Sequence, residues 1–230
     1  MAIKLKSTKD VHLHGLKCLV FGESGVGKTT LMGTLPNAVI ASAEAGLLPL
    51  AGKDVKYVEV TSIEDLQDFY TYVTTDPEGM SFDSICLDSV SEIAEVVLSF
   101  EKKRLINGKL QDGRAAYGEL NDTMSSLIRA FRDIPGKNVI FSAKVEKITD
   151  EKGRILYGPS MPGKTLAQGL GYFFDLVLAL RSEKNEAGEN IRMLQTDNDG
   201  LWSAKDRSGK LDQFEEPDLG AIIKKIKGGK

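Results

Sequence analysis

The chain has 230 residues, of which 41% are hydrophobic and 27% charged, with a formal net charge of −3. That length buries a core without staples, and that composition excludes a disordered polymer and a uniformly basic nucleic-acid coat, leaving only local basic patches for such a role. No apolar run approaches the ~18 residues of a membrane span and residues 1–6 hold no signal-like apolar stretch, so a cytoplasmic protein with no membrane partner is expected. Cys18 and Cys86 sit in apolar runs and read as reduced core residues. His12 and His14 alternate along an apolar stretch and do not read as a metal site.

Strands and helices alternate along most of the chain, the pattern of an α/β fold with a largely parallel sheet flanked by helices. Leu16 to Phe21 reads as a buried strand ending at a glycine, and Thr29 to Leu35 as a short helix stopped by Pro36. Strands follow at Asn37 to Ser42, Val55 to Val60 and Phe82 to Asp88. Ser62 to Asp65 and Ser89 to Glu92 carry capping-box patterns at the heads of two helices. Tyr117, Leu120, Met124, Leu127, Ile128 and Phe131 form a core-facing stripe on another helix. Strands are expected at Asn138 to Ala143 and Phe174 to Leu180. After a polar turn at Arg181 to Asn190, Ile191 to Thr196 and Leu201 to Ala204 read as an antiparallel meander with a hairpin turn at Asp199-Gly200, before a terminal helix at Pro217 to Lys227. Asn107 to Arg114 and Thr149 to Lys164 read as polar loops. The whole, 1–230, reads as one domain with an extension at 1–15 and the antiparallel strands and helix at 181–230.

Gly22-Glu23-Ser24-Gly25-Val26-Gly27-Lys28-Thr29 fits G-x-x-x-x-G-K-[ST] between a strand and a helix. Glycines there let backbone N–H groups wrap phosphate oxygens, Lys28 reaches the β- and γ-phosphates, and the Thr29 hydroxyl ligates Mg²⁺, with Thr30 closing the segment. Gly158 to Thr165 fits the same pattern, but Pro159 and Pro162 lack the N–H donors of a phosphate cradle. Asp88 ends an apolar strand, where Mg²⁺ needs a second protein anchor, and Glu44 follows the strand ending at Ser42, placed to deprotonate an attacking water. The absence of N-K-x-D argues against GTP chemistry, and Lys102 to Arg114 is too mixed for a kinase lid.

Together these segments resemble the RecA-like branch of P-loop ATPases. GESGVGKTT is similar to its Walker A segment, Ala41 to Leu47 to its catalytic-glutamate segment, and Ile85 to Val90 to its Walker B strand with an Asp-Ser pair. Lys205-Asp206-Arg207-Ser208-Gly209 is similar to the K-x-R-x-G motif of RadA and ring helicases, which implies that Lys205 and Arg207 reach a neighbouring subunit's γ-phosphate. The chain's short length and the stretch from Gly158 to Leu180 look most like bacteriophage core-only RecA-like proteins of single-strand annealing and recombination.

The resemblance implies ATP and Mg²⁺ as cofactors, a homo-oligomeric ring or filament with ATP at subunit interfaces, single-stranded DNA as partner, and a possible single-strand-binding protein. The implied DNA loops place Lys109, Arg114, Lys147, Lys152, Arg154 and Lys164 against phosphates and Tyr157 against a base, with a further basic cluster at Lys224, Lys225, Lys227 and Lys230. One departure stands out: where RecA proper has an Asn-Gln pair, this chain has Ser142-Ala143-Lys144, so either Ser142 or Lys144 substitutes as the sensor or the coupling is weak. Two other readings stand beside the ATPase: an ATP-switched annealing or loading module without turnover, and a phosphotransferase with a small-molecule acceptor.

Overall fold

The computed structural model describes residues 15–107, 113–149 and 152–228. His12, His14, Lys109 and Lys230 lie outside them. Six parallel strands form the body of the sheet: β1 (Lys17–Gly22), β2 (Ala38–Ser42), β3 (Lys56–Glu59), β4 (Ser84–Asp88), β5 (Asn138–Thr149) and β7 (Leu176–Lys184). Four more strands add antiparallel pairs: β6 (Ile155–Pro159) on β5, β8 (Asn190–Gln195) and β9 (Lys205–Asp206) on β7, and β10 (Phe214–Glu215) on β8. The strand order is β10-β8-β7-β1-β5-β4-β2-β3. β1, β2 and β4 are short apolar runs because helices cover both faces of a parallel sheet.

One face packs against α2 (Ile63–Thr75), α3 (Val90–Asn107), α4 (Gly113–Arg132) and α5 (Lys164–Leu170). The other packs against α1 (Lys28–Met32) and α6 (Leu219–Lys227) through Leu31, Met32, Leu219, Ile222 and Ile223. The stripe on α4 buries Leu120, Met124, Ile128 and Phe131, while Tyr117 stays 41% exposed. The capping box at Ser62 forms in full, with Asp65 returning the bond. At Ser89 only half of one forms: Ser89 Oγ accepts from Glu92 N at 3.3 Å, while the Glu92 carboxylate is drawn to Lys144 Nζ at 2.6 Å. Cys18 and Cys86 are fully buried, and burial pushes both thiols far above the ordinary cysteine range. Among the described residues no helix is long and apolar enough to cross a membrane.

Three expectations need correction. Thr149 to Lys164 is not a loop: β5 runs six residues past Ala143 and pairs with β6 from Val145↔Pro159 to Thr149↔Ile155, so a hairpin rises beyond the sheet. Its apolar and β-branched residues, Val145, Ile148 and Ile155, were obscured by interleaved charge. Arg181 to Asn190 is likewise a hairpin, β7 and β8 pairing out to Lys184↔Asn190. Asp199-Gly200 does not join paired strands; Asp199 Oδ1 instead accepts from the N–H groups of Leu201 and Trp202, and the chain crosses the sheet before re-entering as β9.

Candidate nucleotide site

β1 ends at Gly22, a position that only glycine fits, because a β-carbon there would lie 2.5 Å from the carbonyl oxygen of Leu180. The loop then turns through Gly27, whose φ of 108° lies in the left-handed region that favours glycine, and α1 starts at Lys28. The first turn of α1 has no carbonyls one turn below to pair its N–H groups. Lys28 Nζ donates to the carbonyls of Gly22 and Glu23, 2.9 Å each. Burial pushes its ammonium below the ordinary lysine range, and the carboxylates of Glu44 and Asp88 oppose that push. Glu23, Ser24, Gly25 and Thr30 are exposed, while Val26 is buried in the α1-side core.

Asp88 ends β4, two strands from β1, and is 1% exposed. Its Oδ2 accepts from Thr29 Oγ1 at 2.7 Å, and its Oδ1 accepts from Ser142 Oγ on β5. The register sets Ser42 of β2 beside Asp88. Ser42 Oγ is buried without a hydrogen-bond partner among the described residues. Glu44, just past β2, is held by Ser89 Oγ, which donates to Glu44 Oε1. The Asp88–Ser89 peptide is cis. Lys28, Thr29, Asp88 and Glu44, named from separate segments of the sequence, are thus brought to one end of the sheet.

Two hard oxygen donors, the Thr29 hydroxyl and the Asp88 carboxylate, together with an orphan buried hydroxyl at Ser42, fit Mg²⁺. Among the described residues no cluster of three or more His, Cys, Asp or Glu forms a protein-only cage. Mg²⁺ held by one or two protein oxygens plus phosphates and water matches that arrangement.

At the sensor position, Ser142 is tied to Asp88, whereas Lys144 is tied to Glu92, whose hydrogen bond raises the lysine above its ordinary range. Ser91, which no sequence signal marks, joins the site to the β5–β6 hairpin: its Oγ accepts from Lys144 N at 2.9 Å and donates to Ser160 O at 2.7 Å. Ser89 was legible as the head of a capping box and as the serine of the Asp-Ser pair, but not as the residue that holds Glu44.

The second glycine-lysine segment is no cradle. Gly158 and Pro159 end β6, an antiparallel hairpin strand, and Lys164 starts the seven-residue α5. Lys152 and Arg154 lie at the hairpin turn, and Arg114 and Lys164 open α4 and α5. A β-carbon at Gly163 would lie 3.5 Å from the Tyr117 ring, so these two helix starts are neighbours. Tyr157 is not a free platform for a base: its ring stacks on Trp202 at 4.5 Å, Trp202 stacks on Phe21 at 6.1 Å, and the Arg181 guanidinium lies 5.0 Å from the Trp202 ring centre.

Lys205 and Arg207 lie far from Lys28 of the same chain. Lys205 pairs with Val177 and donates to Gly171 O at 2.6 Å; Arg207 Nη1 stands 3.8 Å from Asp175 Oδ1. The loop leaves the sheet at the level of Leu180, three residues beyond Val177 beside Lys205 and five beyond Asp175 beside Arg207, or roughly 10 Å and 16 Å at ~3.3 Å per residue. Burial, followed by the Arg207 charge, lowers Lys205 from the ordinary lysine range.

No curated protein matches the chain. Among solved structures it is similar to a KaiC-like protein, PH0186, from Pyrococcus horikoshii OT3, with 13% identity, a TM-score of 0.41 and coverage of 79% of this chain and 77% of that one. It is also similar to the flagellar accessory protein FlaH from Methanocaldococcus jannaschii, with 12% identity, a TM-score of 0.43 and coverage of 82% and 83%. A family profile described as AAA domain matches residues 14–208, which include the phosphate loop, Glu44, Asp88 and Arg207. The chain is a P-loop ATPase domain and belongs to the AAA domain family.

Proposed function

We propose that the protein is a Mg²⁺-dependent, oligomeric ATPase whose turnover is coupled to single-stranded DNA, acting in annealing or recombination of the kind associated with phage core-only RecA-like proteins. The observation that carries the coupling is the sharing of Asp88 between Thr29 of the loop and Ser142 of β5. β5 continues without a break into the hairpin bearing Lys147, Lys152 and Arg154. A ligand gripping that hairpin pulls on the strand that positions the Asp88 carboxylate. The Tyr157–Trp202–Phe21 stack gives a second link, because Phe21 directly precedes the loop.

In the reaction, Lys28 neutralises charge on the β- and γ-phosphates. Glu44, oriented by Ser89, takes a proton from water as the water oxygen bonds to the γ-phosphorus; the bond from that phosphorus to the β–γ bridging oxygen breaks and ADP leaves. Thr29 and Asp88 hold Mg²⁺, which when bound offsets phosphate charge. Lys205 and Arg207 stand too far down β7 to reach their own loop, so their place in this chemistry is at the site of a neighbouring copy. Arg114, Lys152, Arg154 and Lys164 supply phosphate contacts, which makes DNA binding salt-dependent. A single-strand-binding protein in the host cytoplasm would present the DNA.

The test is ATP hydrolysis with Mg²⁺, measured across protein concentration with and without single-stranded DNA. Specific activity is expected to rise with concentration and to rise again with DNA. Rates indifferent to both would overturn the coupling and the shared site; a product phosphorylated on an added small acceptor would replace hydrolysis with phosphotransfer.

A further inference from the structure

Arg192 lies against the phosphate loop from the side opposite Asp88. It sits on β8, two strands from β1 in one direction, while Asp88 ends β4, two strands away in the other. The β7–β8 hairpin carries it past the end of the sheet, where it pairs in register with Ser182. A β-carbon placed on Gly27 would lie 3.7 Å from Arg192 Nε, 3.8 Å from Cδ and 3.9 Å from Cζ, so the guanidinium covers the open face of the loop's last glycine.

The guanidinium is exposed and makes no hydrogen bond or ion pair among the described residues. Its surroundings make that notable. Arg181, also on this hairpin, bonds Gln195 and Glu183 and lies over Trp202. Glu183 and Glu216 line the same 840 Å³ groove as Arg192, yet neither holds it. A planar cation with five donors therefore rests on a phosphate-binding loop with its donors uncommitted.

The charge layout around the loop is lopsided. Asp88 and Glu44 stand on one side, where Mg²⁺ fits. Lys144, the other cation electrostatically coupled to Lys28, is engaged by Glu92. Polyphosphate oxygens turned away from the metal side need a donor from the opposite wall, and Arg192 is the cation placed there.

We propose, on the basis of the ATPase reading above, that Arg192 is a nucleotide-binding residue acting within its own chain: its guanidinium contacts the polyphosphate held by the loop and makes the β7–β8 hairpin the second wall of the nucleotide site. The ligand class is a nucleoside di- or triphosphate.

The experiment is titration of the full chain with fluorescently labelled ADP and ATP, each with Mg²⁺, for the unsubstituted protein and for Arg192→Ala, Arg192→Lys and Lys184→Ala. Arg192→Ala is expected to weaken both nucleotides about tenfold to a hundredfold, the range for a lost charge-assisted contact. Arg192→Lys is expected to recover part of that loss, since charge returns without the planar fork. Lys184→Ala removes an exposed charge from the same hairpin and is expected to leave affinity unchanged. A loss under fivefold in Arg192→Ala, or an equal loss in Lys184→Ala, would overturn the assignment while leaving the ATPase reading intact. No nucleotide binding by the unsubstituted chain would overturn both.

Discussion

Ser142 Oγ donates to Oδ1 of Asp88, the carboxylate whose other oxygen accepts from Thr29. Ser42 pairs in register with Asp88 across β2 and β4, and Asp88 and Ser142 each follow directly on the last pair of β4 and β5, Leu87↔Phe141. A carboxylate this buried requires such donors, because an unpaired buried charge is costly. Ser142→Ala removes one donor and leaves Asp88 aimed by Thr29 alone. A hydrogen bond to a charged group contributes about 1.5–3 kcal/mol. The Mg²⁺ concentration for half-maximal turnover is therefore expected to rise about tenfold or more, with metal-free nucleotide binding unchanged. An unmoved Mg²⁺ midpoint would remove Ser142 from the metal site.

Glu44 is the proposed general base, and Ser89 fixes its position. Glu44→Gln keeps an oxygen for Ser89 and loses the proton acceptor. Turnover should fall about 10²- to 10⁴-fold while nucleotide affinity changes little. If annealing of complementary strands survives that loss, ATP acts on the DNA function as a bound switch. Turnover within tenfold of the unsubstituted chain would place the base elsewhere.

The loop, Asp88 and Glu44 were legible because each sits at or just past the point where an apolar strand stops, a boundary the sequence marks by the change from Phe21 to Gly22, Leu87 to Asp88 and Ala41 to Ser42. The two hairpins were not. Glu146 and Lys147 separate Val145 from Ile148, Arg154 precedes Ile155, and most of these residues are partly or fully exposed, so a half-exposed strand read as a polar loop. Ser91 and Arg192 join the site only through register and folding, 53 residues separating Ser91 from the Lys144 N–H that it accepts. Asp199-Gly200 carries a strong turn signal, but the turn is satisfied by an aspartate side chain accepting local N–H groups, with no second strand to pair.

Arg207 is half exposed and stands 3.8 Å from Asp175, at the end of β7 remote from the loop. A weak, solvated pair of this kind is easily exchanged for another anion. Arg207→Ala should abolish most turnover without weakening nucleotide binding. Lys28→Ala should abolish both. Mixed in equal amounts, the two inactive variants should regain activity, because some interfaces then join an intact loop to an intact Arg207. Arginine fingers contribute about 10³–10⁵ in rate, so even a minority of such interfaces is measurable. A mixture as inactive as its parts would deny Arg207 a role in the neighbour's site.

Lys17 offers a test of the fold that is independent of ATP. Its ammonium donates to Lys137 O at 2.7 Å and Ile134 O at 3.3 Å, and burial lowers its pKa from 10.5 to about 8, with Asp175 and Asp133 opposing the shift. Below pH 8 it is charged in both the folded and unfolded states, and the folded state carries the full desolvation cost. Between pH 8 and 10.5 the folded chain has released this proton while the unfolded chain still binds it. Unfolding then takes up a proton, so this residue's contribution to stability rises with pH across that window and levels off above it. Lys17→Met cannot titrate. Urea unfolding of both proteins at pH 7, 9 and 10.5 should show the stability of the unsubstituted chain rising relative to Lys17→Met as pH increases. A constant difference would mean that Lys17 keeps an ordinary lysine pKa in the folded protein.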